Sequence, residues 1–173
     1  MNTRVQFIIH CIIAITALAM LGFAFSQPLV RLSLGFGGAN VSYDIYMTQE
    51  CVSMAGQSKC SDIDPVFKPQ MQAIMGIVIT LMVCVFLQFI SMNFGGVISN
   101  IFGLLVLVLS IVLIILISLL SFFTNNGKQY NLTGTSIGVI VVTCLLVVFE
   151  LCCNKLVHRA ILAPYHLIAG KKA

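Results

Sequence analysis

Residues Ile101–Phe123 read IFGLLVLVLSIVLIILISLLSFF, an unbroken apolar run without one charged side chain. As a helix rising ~1.5 Å per residue it would extend about 34 Å, enough to cross a hydrocarbon core of about 30 Å. Lipid offers no partner to backbone N–H and C=O groups, so such a run has to be helical. Three further runs share its character: Phe7–Phe25, Met71–Met92 and Ser136–Cys153, the last interrupted only by Glu150 near its end.

The composition agrees. Hydrophobic residues make up 60% of the chain, charged residues 8%, and the mean hydropathy is +1.09. A soluble domain carries roughly a quarter charged residues, so these few could not cover a water-soluble globule. Four spans take about half of the 173 residues and leave no room for a separate soluble domain, so residues 1–173 are expected to form one four-span membrane domain. The first run, with Arg4 before it and Ala24 and Ser26 at its end, also has the outline of a signal peptide. We read it as a retained span; cleavage would leave the other three unchanged.

Charge sets the expected orientation. Arg4, Lys155, Arg159, Lys171 and Lys172 cluster at the two ends of the chain, whereas Arg31, Lys59, Lys68 and Lys128 are mixed with Asp44, Glu50, Asp62 and Asp64. The positive-inside bias then puts both termini in the cytoplasm, and an even number of spans agrees. Residues 26–70 and 124–135 become outer loops, Asn93–Gly96 a tight inner connection, and 154–173 a cytoplasmic tail. The plasma membrane is the expected location. No dense basic stripe suggests nucleic acid.

The first outer loop carries most of the polar chemistry. Leu29–Phe36 alternates in part and Val41–Met47 cleanly, with Gly37-Gly38-Ala39-Asn40 between them, the pattern of an antiparallel hairpin. Cys51 and Cys60 are the only cysteines in an outer loop. An oxidising compartment makes them a disulfide that pins two strands; half of a zinc site fails for want of an outer histidine. The expected fold is an all-α four-helix transmembrane bundle bearing a small extracellular antiparallel β-sheet.

Other residues invite chemistry. Asn40-Val41-Ser42 and Asn131-Leu132-Thr133 are glycosylation sequons, the second close to the membrane. Cys152 and Cys153 end the last span and are palmitoylation candidates, with simple packing as the alternative. Cys11, Cys84 and Cys144 read as small core hydrophobes. Glu150, an acid inside a span, is expected to pair with a basic group at the inner interface, one turn from Lys155. His10 reads as a satisfied core histidine; His158 and His166 rest at the inner surface. Gly134 and Gly138, and Ala73 with Gly76, mark helix contacts. No nucleophile–base set, carboxylate pair, phosphate loop or metal cluster is present, so the chain reads as no enzyme, with no cofactor and no small-molecule substrate.

In layout and in the loop, the chain resembles the claudin, peripheral myelin protein and stargazin superfamily. Gln27-Pro28-Leu29-Val30-Arg31 looks like the family's P-x-W-R entry to the first strand, with Val30 in place of tryptophan. Cys51–Cys60, with Gly56-Gln57 before the second cysteine, is similar to its W-x-x-C…C pair, although Tyr46-Met47-Thr48 replaces G-L-W. Pro69–Met75, Gly134–Gly138 and Cys152-Cys153 resemble the family's second and fourth spans. The end, Gly170-Lys171-Lys172-Ala173, differs from the motif with which junctional claudins bind scaffold domains. The resemblance implies adhesion or membrane organisation through the first loop, possible at cell–cell junctions, with self-association in cis or in trans. The alternative is an auxiliary, stargazin-like subunit on a channel or receptor. Arg31, Asp62 and Asp64 are the recognition candidates; in claudins the neighbourhood of the two acids lines an ion path, while ordinary solvated acids are the plainer reading.

Overall fold

The computed structural model describes residues 3–36, 39–54, 56–91, 96–120, 124–125, 128–129 and 131–154. Residues 92–95 at the expected inner connection, residues 37–38 of the expected hairpin turn and the tail with Lys155, His158, Arg159 and His166 lie outside them. Four helices are present: α1 (Thr3–Phe23), α2 (Lys68–Ser91), α3 (Gly96–Leu120) and α4 (Gly134–Cys153). Between α1 and α2 run β1 (Val30–Phe36), β2 (Ala39–Ile45), β3 (Glu50–Met54) and β4 (Gln57–Ser61). Between α3 and α4 come the short β5 (Thr124–Asn125), β6 (Lys128–Gln129) and β7 (Asn131–Leu132).

The helices pack in a ring, α1 against α2 and α4, α3 against α2 and α4. Each turns one row of residues inward: Ala14, Ala17 and Leu21 on α1; Met71, Ile74, Val78, Leu81 and Val85 on α2; Val106, Leu113 and Ile117 on α3; Val139, Val142 and Leu146 on α4. The outward faces are just as apolar, with Ile12, Ile79, Val108 and Val141 all exposed. A water-soluble bundle would place polar groups there. Helices α2, α3 (from Val97) and α4 are long and apolar enough to cross a membrane, and α1 adds the shorter apolar stretch Ile8–Phe23. The chain is a multi-pass membrane protein. Its third helix starts five residues before the expected span because Ser99, though polar, is turned into the bundle.

The sheet is antiparallel, in the order β4-β3-β2-β1-β7. The expected hairpin is present, with Val30 opposite Ile45 and Phe36 opposite Ala39. Gly56, at φ +82°, takes the left-handed backbone that closes the tight β3–β4 turn. The expected loop 124–135 instead holds β5 and β6 paired with each other, and β7 on the far side of β1. Thr133, which follows β7, caps α4 by accepting from the Ser136 N–H at 3.4 Å. Its hydroxyl donates to the Pro28 carbonyl at 2.5 Å, and the Ser136 hydroxyl donates to that of Leu29. The first strand and the last helix are thus tied together at the sheet end of the bundle.

Candidate functional site

The register sorts the sheet into two chemically different faces. On one, Arg31, Asp44, Cys51 and Cys60 form a single rung across four strands, and Ser33, Ser42, Ser53 and Ser58 form another. On the other, Leu32, Tyr43, Val52 and Lys59 form a rung beside Leu34, Val41, Met54 and Gln57. Period-two alternation in each strand produces this split. Leu32 and Leu34 join the buried core, while Met54 is 56% exposed, so the apolar face continues past the packed region. There it lines an open groove of about 660 Å³ with Val41, Tyr43, Val52, Gln57 and Lys59. β4 is the free edge, and all five of its residues are exposed.

The polar rung is locked twice. The Arg31 Nε and Nη2 groups donate to the two carboxylate oxygens of Asp44 at 2.5 and 3.0 Å, and Cys51 is bonded to Cys60. This forked contact and the charge of Asp44 hold the Arg31 guanidinium above its ordinary range. Asp62 and Asp64 are both exposed, but they are differently used. The Asp64 carboxylate accepts from the Val66 N–H at 2.8 Å, and its carbonyl accepts from the Phe67 and Lys68 N–H groups, so it builds the turn into α2. Asp62 instead lines a second cavity, of about 230 Å³, with Met47, Lys68, Gln72 and Met75. Of the acidic pair, only Asp62 has no role in the turn.

The remaining candidates are placed as follows. Asn131 is exposed but paired in β7 opposite Arg31, and the hydroxyl of its sequon threonine is already engaged. Asn40 lies in β2, near the distal end of the hairpin. Cys152 is exposed at the end of α4 and Cys153 half-buried; Cys144 faces outward and Cys11 is half-buried, so only Cys84 is fully in the core. At Gly138 an added Cβ would lie 2.5 Å from Met20 Cε, so the tip of this α1 side chain packs over the glycine. Gly134 and Gly76 have open space instead, and Ala73 is exposed.

A second polar concentration lies in the bundle, at the end away from the sheet. Glu150 is 2% exposed and accepts from Gln88 Nε2 at 2.6 Å and Asn154 Nδ2 at 3.0 Å. Asn154 also donates to the Asn100 carbonyl at 2.9 Å. Neutral amides therefore hold the carboxyl where a basic partner is expected from the sequence; Lys155 lies outside the described residues. Gly103 provides the space, since a Cβ there would fall on Glu150, Asn154 and Gln88. Buried His10 packs at a tilt against Phe149 with ring centroids 5.0 Å apart, and neither of its nitrogens has a hydrogen-bond partner among the described residues. The sequence reading of a satisfied histidine is not met there. The cluster could not be assembled from sequence, because Gln88 and Glu150 are 62 residues apart. Among the described residues no group of three His, Cys, Asp or Glu side chains could hold a metal ion.

Compared with known proteins, the chain matches no family model and no curated protein.

Proposed function

We propose that the chain is a divergent member of the claudin, peripheral myelin protein and stargazin superfamily, a non-catalytic protein of cell–cell adhesion or membrane organisation. In this reading it lies in the plasma membrane with both ends of the chain in the cytoplasm and the sheet outside. The observation that carries it is the disulfide-closed sheet, whose apolar face runs on into the open groove at Val41, Tyr43, Val52 and Met54 beside the free edge β4. A surface of that kind is suited to pairing with another protein's strand or side chains. It supports partner recognition better than chemistry, because its lining is mainly aliphatic, aromatic and amide.

Expression in cells without junctions tests this. Adhesion requires expressing cells to aggregate, and Met54→Asp, at an exposed position, is expected to abolish aggregation while leaving surface delivery intact. A stoichiometric complex with a larger channel or receptor, without aggregation, would assign the same surface to an auxiliary subunit instead. Tag mapping that put residues 26–70 on the same side as the termini would end both readings.

A further inference from the structure

The Glu150 cluster has no part in the recognition surface. It lies at the far end of the bundle, inside a helix apolar enough to cross the membrane. Its donors, Gln88 and Asn154, are neutral. Among the described side chains the cations are Arg31, Lys59 and Lys68, all at the sheet end; the side chains of Arg4, Lys155 and Arg159 lie outside the described ones. Of the titratable groups on the packed helices, Cys153 of α4 lines the same cavity, His10 of α1 lies against the Phe149 ring, and Cys84 of α2 lies one turn before Gln88. α3 contributes none, since Gly96–Leu120 contains no ionisable side chain. A buried carboxylate without a counter-charge is costly, and the usual outcome is that the group takes up a proton.

Two details make this a site and not only a burial cost. An amide presents a donor on one side and an acceptor on the other, so Gln88 can donate N–H to a carboxylate or, turned over, accept the O–H of a carboxylic acid. Both forms of Glu150 can therefore be held by the same neighbours. Beside the carboxyl lies a cavity of about 80 Å³, lined by Gln88, Ser99, Asn100, Phe149 and Asn154, room enough for water to carry a proton. The amide N–H groups directed at the carboxyl do not supply the oxygen cage that a metal cation needs. We propose that Glu150, with Gln88 and Asn154, is a proton-binding site within the span, exchanging its proton through the cavity beside it.

The chain has only two glutamates, Glu50 on the sheet and Glu150, so carboxyl-¹³C glutamate gives two signals. Solid-state NMR of the full chain in phosphatidylcholine bilayers would read them across a pH series, with Glu50→Gln assigning the sheet signal. The proposal requires the Glu150 carbon to stand upfield of Glu50 at neutral pH, in the range of a protonated carboxyl, and to lose that shift in alkali. A Glu150 signal at the carboxylate position at neutral pH overturns it. If that signal moves to the protonated position in Lys155→Gln, the carboxyl is ion-paired and the proposal also fails. The deciding spectrum is that of the native sequence; Glu50→Gln serves only to assign its two signals.

Discussion

Gly103 shows at the scale of one residue how the bundle makes room for polar atoms. A Cβ at this position would lie 2.5 Å from Asn154 Nδ2 and 2.8 Å from Gln88 Nε2, and would overlap Glu150. Alanine normally favours a helix over glycine by about 1 kcal/mol, but overpacking costs about 1–3 kcal/mol. Gly103→Ala is therefore expected to lower the thermal unfolding temperature in detergent. Gly76→Ala, with open space around it, should leave that temperature unchanged or raise it. Arg31 and Asp44 make the opposite case: the arginine side chain is 53% exposed, so a double-mutant cycle should return a coupling of only about 0.2–1 kcal/mol despite the forked geometry. Residue identity was legible here but partnership was not. Glu150 stands out in the sequence as the acid in an apolar run, yet spacing along one helix cannot say that Gln88 on another will face it.

Among the elements, those whose pattern answers to a solvent were the easiest to read. The spans are legible because lipid demands continuous apolar runs, and the β1–β2 hairpin because one of its faces packs and the other does not. β4, Gln57–Ser61, has no such pattern, since all of it is exposed. β7 has two residues, too few for any period to show. The cysteines stood in for the missing signal, as Cys51 and Cys60 sit directly opposite in the β3–β4 pair. In the chain-entropy model so short a closed loop stabilises by roughly 2–3 kcal/mol. Serine at both positions should therefore reduce delivery to the cell surface, measured by surface biotinylation, and full delivery would show the sheet to stand without the bond. At the start of α4, Thr133→Ala removes both the cap and the bond to Pro28, a loss of about 1–2 kcal/mol in thermal unfolding that Thr133→Ser should largely restore.

Considered whole, the described bundle is apolar on its outward faces as well as in its core. Val108, on α3, is 51% exposed, and aspartate there would be harmless if water were the neighbour. Facing lipid at a helix centre, it would cost about 2.5–3.5 kcal/mol on insertion scales. Val108→Asp is thus expected to reduce membrane insertion in a glycosylation-reporter assay, and unchanged insertion would contradict a lipid-facing α3. The ties between β1 and α4 have a consequence at this scale. Any tension on β1 enters the bundle by two routes at once, through Leu29 toward α1 and, by way of the Thr133 and Ser136 hydroxyls, into α4. A load shared between two anchors on adjacent helices pulls them together along their length and does not peel one strand from its edge. The cap would then hold its shape under traction that would unravel a loop fastened at a single point.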